Sequence, residues 1–299
     1  HWNEYGVCKA NMRDGVLPPM SGEINNEEWK HSNGAWIRTE VWACMYPALP
    51  EKAIRLAFED ASVDHGFGEG TYAAIFVAAM ESAAFVLSDA DALLDVGLSK
   101  IPEDCRVARS VNIVRRAYAD GVSWKDCREL LVKDSEDLGW FQAPANVGFV
   151  VLGLLYGQGD FKQSLIYAVN CGDDTDCTGA TLGSLLGIMG GMAVIPEDWR
   201  AYIGDGIKSI CLTNGHGPFP QDCTQLTDCL MKLLPVTLRT RHEALIAHRA
   251  PAVTLGDETI IENVRPEDFY GRDFVQKLSA RKPHSYTIEG VYADCLVEF

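Results

Sequence analysis

The stretch "GDDTDCTGATLGSLLGIMGG", residues 172–191, places three aspartates within four positions, directly before a long uncharged run. One aspartate at the start of a helix is an ordinary cap, and a second gains from the helix dipole. A third exceeds what capping requires, because close carboxylates raise one another's pKa unless a cation neutralises them. The stretch therefore predicts a helix whose N-terminus concentrates negative charge at Asp173, Asp174 and Asp176.

Oxygen donors in this pattern suit a hard divalent ion. Asp174 and Asp176 offer carboxylates at positions i and i+2, and Thr175 and Thr178 add hydroxyls nearby. Carboxylate and hydroxyl oxygens are typical ligands of Mg²⁺, Ca²⁺ and Mn²⁺. A pair of this kind also fits a capped helix end in solvent, so the motif alone leaves metal binding and plain capping open.

The glycines of the same run share one helical face, because Gly179, Gly183 and Gly187 are spaced by four. Each glycine inside a helix costs about 1 kcal/mol relative to alanine, so three of them need a structural reason. Close approach of another helix backbone is such a reason. The spacing therefore predicts that this helix is central in the fold.

Composition and charge limit the class of protein. The chain has 299 residues, is 47% hydrophobic and carries a net charge of −16, which indicates a globular protein and argues against nucleic acid or an anionic membrane as partner. Ten cysteines without a C-x-x-C pair indicate free thiols in a reducing compartment, which predicts a cytoplasmic protein. Two uncharged runs, 141–159 and 177–195, approach membrane-spanning length, but they lack basic flanks and better fit core helices.

The pattern along the chain predicts an all-α, compact orthogonal multi-helix bundle with a small C-terminal β appendage. Residues 1–50 read as irregular apart from one short helix before Pro47, and Ser123 caps a helix that follows it. After residue 250 the pattern becomes period-two and β-branched, so we expect a helical domain over 1–250 and a β-rich segment over 251–299. The other predicted helices cover residues 51–64, 71–88, 102–119, 146–157, 161–171, 176–191, 196–211 and 220–234.

A glycine-rich loop separates two of the predicted helices. Asp64 and His65 end the first helix, and the loop then contains Gly66, Gly68 and Gly70. A loop of this kind that opens a helix can present backbone amides to phosphate, although it also fits a simple helix–helix turn.

Three segments together resemble the ADP-ribosylglycohydrolase family, which includes the dinitrogenase reductase-activating glycohydrolases and crystallin J1. The sequence "GDDTDCTGA" (172–180) is similar to the family's G-G-D-T-D-T-x-G-A signature. The sequence "HSNGAWIR" (31–38) is similar to its N-G-A-x-x-R segment, and "DASVDHGFGEGTYAAIFVAAM" (60–80) to the helix, histidine, loop and helix that follow.

The resemblance implies an all-α fold around a binuclear Mg²⁺ or Mn²⁺ site. It also implies hydrolysis of the glycosidic bond at C1″ of ADP-ribose on a protein side chain or a related acceptor. By motif position, the metal ligands would come from Asp174, Asp176, Cys177 and Thr178. The residues implied near the ADP-ribose are Asn33, Gly34, His65, Gly66, Gly68, Gly70 and Asp173.

Two departures from the family pattern stand out. Cys177 replaces a threonine ligand, and a thiol is a poor partner for Mg²⁺. Either Thr178 or water substitutes for it, or the metal preference has changed, or one site is weak. The family's T-D-D-T motif and the glutamate upstream of it are not found before residue 31. The chain starts without an initiator Met and its strand-like end stops at Phe299 without a turn, so we expect that both ends were cut from a longer protein and that the motif lies in the missing segment.

The catalytic acid is not assigned by the sequence. Glu40 and Glu69 are the glutamates nearest the motif segments. The leading hypothesis is a hydrolase acting on an ADP-ribose-containing small molecule or an ADP-ribosylated protein. The alternatives are a non-catalytic binding or structural member of the same fold, a hydrolase of another ribosyl compound, and a helical scaffold without a ligand. The oligomeric state is left open.

Overall fold

The computed structural model describes residues 3–208 and 219–237. Within them the chain forms thirteen α-helices and no β-strand, which confirms the predicted all-α class. The predicted β-rich segment over 251–299 and the boundary at 250 lie outside the described residues. The helices are α1 (Asn3–Arg13), α2 (Met20–Glu23), α3 (Glu40–Met45), α4 (Pro50–His65), α5 (Glu69–Ala83), α6 (Ala90–Leu98), α7 (Arg106–Ala119), α8 (Trp124–Asp134), α9 (Ala143–Gly157), α10 (Phe161–Asn170), α11 (Thr175–Gly190), α12 (Glu197–Ile203) and α13 (Cys223–Thr237).

Two helices form the centre of the bundle. Every residue of α5 is buried, and every residue of α9 except Tyr156. Helix α4 packs along α5, while α7 and α10 pack along α9. Both central helices are predominantly apolar and buried on all sides, as expected for helices surrounded by others. The prediction that the uncharged run at 141–159 forms a core helix is therefore confirmed.

Helix α11 lies at the edge of the bundle, so the prediction that it is central was wrong. Only 28% of the segment Thr175–Val194 is buried, although by length and composition alone this segment could cross a membrane. Its glycines do not meet another backbone: a Cβ on Gly179 would contact only Val169, and one on Gly187 would contact nothing. The four-residue spacing of the glycines shows that they share one face of α11, but it does not require that another helix packs against that face.

The N-terminal region is more helical than its sequence suggested. Residues 1–50 were read as irregular, yet α1 occupies Asn3–Arg13 and the shorter α2 and α3 follow. The buried positions of α1 are Glu4, Cys8 and Asn11, which keep helical spacing but include two polar residues. The hydrophobic pattern missed α1 for this reason, since the Asn11 amide is buried while donating to the carbonyls of Ser21 and Ile24.

Helix boundaries follow their caps. The Ser123 hydroxyl accepts a hydrogen bond from the Asp126 amide at 3.2 Å, which confirms the predicted cap of α8. Helix α7 does not begin at Pro102 as predicted, because Cys105 occupies the cap position and its Sγ accepts from the Ala108 amide. All eight cysteines among the described residues are free, and four of them are buried.

A matched pair of glycine substitutions tests the packing around α9. A Cβ on Gly153 would lie 2.5 Å from Leu182 Cδ2 and 2.8 Å from the Ser164 carbonyl, whereas a Cβ on Gly187 would meet no atom within 4 Å. We expect Gly153→Ala to lower the free energy of unfolding by about 1–3 kcal/mol through overpacking. Gly187→Ala should raise it by about 0.5–1 kcal/mol, because alanine is the better helix former. Urea unfolding measures both, and equal effects would contradict this packing.

Candidate metal centre and ligand site

Three potential metal ligands meet at the N-terminus of α11. One ligand atom each from Asp174, Asp176 and Cys177 lies within 4.8 Å of the others. Asp174 is buried, Cys177 is half-buried and Asp176 is exposed, so the cluster connects the protein interior with the surface. Burial raises the pKa of Asp174, and the neighbouring Asp176 raises it further, although hydrogen bonds from Cys177 and Asn33 lower it. The structure thus places these two carboxylates close together at the start of α11, as the sequence predicted.

The amide of Asn33 fixes the carboxylate of Asp174. Asn33 Nδ2 donates to Asp174 Oδ2 at 2.8 Å, and Trp36 Nε1 donates to Asn33 Oδ1 at 3.0 Å. Asn33 and Trp36 are fully buried, so the orientation of this amide has no competition from solvent. The structure thus brings the segment around Asn33 against the acidic cluster.

Asp173 supports the loop before α9. Its backbone is left-handed, with φ of 58°, and its carboxylate accepts from the Phe141 amide at 3.1 Å and from Asn146 Nδ2 at 3.2 Å. Asn146 in turn accepts a hydrogen bond from the Asp174 amide at 3.2 Å. Asp173 was grouped with the substrate-binding residues, and that role stays a prediction; its contacts in the structure are with the protein itself.

His65 belongs to a buried chain of hydrogen bonds. His65 Nε2 lies 3.0 Å from Ser32 Oγ, and His65 Nδ1 lies 2.6 Å from Asp64 Oδ1. Arg38 binds the same Asp64 carboxylate at 2.9 Å. Burial alone would raise the pKa of Asp64, but His65 and Arg38 outweigh burial and lower it.

The order serine, histidine, aspartate resembles a hydrolytic triad, but Ser32 and His65 have no exposed surface. A nucleophile must reach its substrate, so the chain of bonds is better explained as a tie between the segment around Asn33 and the end of α4. This tie holds Asn33 at the position from which it meets Asp174.

A family model for ADP-ribosylglycohydrolase matches residues 5–223. No curated protein and no solved structure matches the chain. The chain belongs to the ADP-ribosylglycohydrolase family. Membership supports a glycosidase-type hydrolase in general terms, and the family generally depends on metal ions and acts on ADP-ribosylated substrates.

In this family member the glycine-rich loop is packed against residues 22–32. Each of its backbone amides already donates within the protein: Gly66 to Ser62, Phe67 to Glu23, Gly68 to His65, Glu69 to His31 and Gly70 to Lys30. A cradle for phosphate needs free amides. The predicted contact of Gly66, Gly68 and Gly70 with substrate phosphate stays a prediction, and this arrangement gives it no support.

Position 34 must be glycine because the side chain of Glu4 lies against it, and the sequence analysis did not identify Glu4. A side chain at position 34 would collide with the carboxylate of Glu4 and would lie 3.2 Å from His65 Cε1. Glu4 is 1% exposed, and its Oε2 has no hydrogen-bond partner among the described residues. Its place in α1 gave no signal in the sequence, because a lone glutamate in a polar segment is ordinarily a surface residue.

The two candidate acids have different surroundings. Both carboxylate oxygens of Glu69 accept backbone amides at the start of α7, from Arg106 at 3.0 Å and Val107 at 2.9 Å, so Glu69 is a helix cap. Glu40 accepts from Thr181 Oγ1 of α11 at 3.0 Å. Burial raises the pKa of Glu40, and one helical turn separates Thr181 from Cys177.

Behind Glu40 lies a second carboxyl group. Glu81 is fully buried, and within 3–208 and 219–237 neither of its oxygens has a hydrogen-bond partner. Burial raises the pKa of Glu81 well above its ordinary value, and the charge of Glu40 raises it further. Of these two carboxyl groups, Glu40 is the one that is hydrogen-bonded to α11, through Thr181.

Thr178 is turned away from the cluster. Its hydroxyl donates to the Thr175 carbonyl of its own helix at 3.2 Å, and the residue has no exposed surface. The donors gathered at the cluster are two carboxylates and one thiol. The carboxylates fit a divalent ion, whereas the thiol fits a softer ion than Mg²⁺. A surface groove of about 790 Å³ between α7 and α8 is lined by none of these residues.

Removal of the Asn146 amide should weaken the site's support. Asn146→Ala leaves the Asp174 amide without a partner in a buried position, so we expect the free energy of unfolding to fall by about 2–3 kcal/mol. The matched control is Asn170→Ala, which removes an exposed amide bonded to the Ile166 carbonyl and should cost less than about 0.5 kcal/mol. Urea unfolding compares the two, and similar costs would contradict the supporting role of Asn146.

Proposed function

We propose that this member of the ADP-ribosylglycohydrolase family is a metal-dependent hydrolase. It cleaves the N- or O-glycosidic bond between ADP-ribose and a protein side chain or a related acceptor. The observation that carries the proposal is the hydrogen bond between Asn33 and Asp174, which unites two family motifs that lie 141 residues apart in the sequence. Two motifs with separate chemistry have no need to meet, whereas one active site requires that they do.

The residues that would hold a divalent ion are Asp174, Asp176 and Cys177, with Asn33 orienting the first of them. When bound, such an ion polarises the ribosyl substrate and lowers the pKa of bound water. Its positive charge also offsets the negative field of a chain with net charge −16, which otherwise repels the diphosphate of ADP-ribose. Mg²⁺ and Mn²⁺ are the ions that the family resemblance implies.

Glu40 is our candidate for proton transfer. Its carboxyl is half-buried, is hydrogen-bonded to Thr181, and contributes to the charge around the Cys177 thiol on the same face of α11. Glycosidic cleavage needs a carboxyl that protonates the leaving group or activates water while oxocarbenium character develops at the anomeric carbon. Glu69 is unsuited to this role because both of its oxygens are used by α7.

A non-catalytic, ADP-ribose-binding member of the family is the second candidate. The replacement of the family's threonine by Cys177 favours it, because a changed ligand can weaken a metal site and spare substrate binding. For either function we propose a cytoplasmic location, which the free thiols of the described cysteines support.

Loss of the cluster's charge should abolish binding of the metal. For Asp174→Asn and Asp176→Asn we expect the affinity for Mn²⁺ to fall about 100-fold or more, and binding of ADP-ribose to fall with it. Isothermal titration calorimetry measures both ligands. The matched control, Asp198→Asn, neutralises an exposed carboxylate paired with Lys162 and should leave both affinities unchanged. Unchanged Mn²⁺ binding in the two cluster variants would refute the metal site.

Loss of the Glu40 carboxyl should separate binding from catalysis. Glu40→Gln keeps the hydrogen bond with Thr181 but cannot exchange a proton, so we expect kcat to fall about 10²–10⁴-fold while ADP-ribose affinity changes little. Release of ADP-ribose from arginine- and serine-ADP-ribosylated proteins measures kcat, and calorimetry measures affinity. Full activity in Glu40→Gln would exclude this role, and binding without turnover in the unmodified chain would favour the non-catalytic alternative.

A further inference from the structure

The thiol of Cys177 belongs to the donor set of the cluster. Its sulfur lies within 4.8 Å of ligand oxygens from both Asp174 and Asp176, and the thiol hydrogen-bonds the Asp174 carboxylate. Cys177 is half-buried on the first turn of α11, so solvent and ions reach it. The side chain thus occupies the place of a ligand and is not packed away from the site.

Other replacements for the family's threonine are less well placed. Thr178, the nearest candidate in the sequence, is fully buried, and its hydroxyl donates along its own helix to the Thr175 carbonyl. Rotation of this hydroxyl toward the cluster would break that bond inside the protein. Among the described residues, the neighbouring carboxylates, thiols or imidazoles that form a group of three or more are those of Asp174, Asp176 and Cys177. Cys177 is therefore the candidate ligand that accompanies the two aspartates.

We propose that Cys177 is a thiolate ligand and that the site therefore prefers a borderline divalent ion, such as Zn²⁺ or Co²⁺, over Mg²⁺. This inference rests on the proposed function, because it concerns the same metal site. Thiolate ligands favour softer metals, whereas Mg²⁺ demands oxygen donors. Two carboxylates and one thiolate are three protein ligands, the number at which a catalytic zinc site keeps a fourth position open for water or substrate.

Binding converts the thiol to a thiolate, and the proton must leave. The balanced step is that Cys177 Sγ–H loses its proton to solvent while a sulfur–metal bond forms, with no oxidation or reduction. A bound divalent ion favours the thiolate, because its charge is the largest in the site.

The orientation of the ligands is prepared by their surroundings. The Asp174 carboxylate is held by Asn33, which is held by Trp36, and both supporting side chains are fully buried. Outer hydrogen bonds of this kind fix the direction of a metal ligand and tune its affinity. The sulfur of Cys177 is thereby presented beside a carboxylate that has little freedom to move away.

Cobalt spectroscopy of the full chain tests the inference. Co²⁺ bound by a thiolate gives a sulfur-to-cobalt charge-transfer band in the near ultraviolet, and we expect this band when the metal-free chain is titrated. Cys177→Ser and Cys177→Thr should abolish the band and lower the preference for Co²⁺ over Mg²⁺ about 10- to 100-fold, measured by calorimetry. Proton release on Zn²⁺ binding should fall by about one proton in both variants.

The matched control removes thiols that are exposed and distant in the sequence. Cys223→Ser/Cys229→Ser should keep the band, because these two exposed cysteines are outside the cluster. A band that persists in both Cys177 variants would overturn the inference. So would Mg²⁺ binding as tight as that of Co²⁺ with no band, although the proposed metal-dependent hydrolase would then survive. Absence of binding by any divalent ion would instead reject the proposed function together with the inference.

Discussion

The hydrogen bond between Asn33 Nδ2 and Asp174 Oδ2 connects the two halves of the site, and the surrounding structure maintains it. Both residues are buried, so the carboxylate has exchanged hydration for one amide and a neighbouring thiol. Such burial is costly for a charged group unless its partners are fixed. The partners are fixed here from both sides, by Trp36 on Asn33 and by Asn146 on the Asp174 backbone.

Many of the polar side chains near the site hold segments of the protein in place and have no free group for a reaction. The chain from Ser32 through His65 and Asp64 to Arg38 ties the Asn33 segment to α4. Three amides of the glycine-rich loop, those of Phe67, Glu69 and Gly70, bind residues 22–32, and the Glu69 carboxylate caps α7. Buried polar groups must find partners within the protein, and a complete network of this kind specifies one geometry. The cluster at α11 differs because its donors are only partly satisfied and reach the surface.

Membership of the ADP-ribosylglycohydrolase family supports a hydrolase in general terms, while the ligand set of this chain includes a thiol beside the carboxylates. Two aspartates supply the hard oxygens common to such sites, and Cys177 adds a sulfur beside them. Glu40 accepts a hydrogen bond from Thr181, one turn further along α11, and the charge of Glu40 adds to burial in raising the pKa of Glu81. The metal preference and the proton transfer that we propose would therefore belong to neighbouring turns of α11.

The sequence by itself determined the helical class, most helix positions, the crowding of acids at the start of α11 and the family motifs, since these depend on local spacing and residue type. It did not determine that α11 lies at the edge, that α1 exists, or that Glu4 meets Gly34. Those features depend on which distant segment packs against a given helix face. The periodicity of the sequence identifies the face but does not identify the segment that covers it. Only the tertiary structure decided that Asn33 orients Asp174 and that Cys177, not Thr178, faces the cluster, because side-chain direction follows from packing between helices.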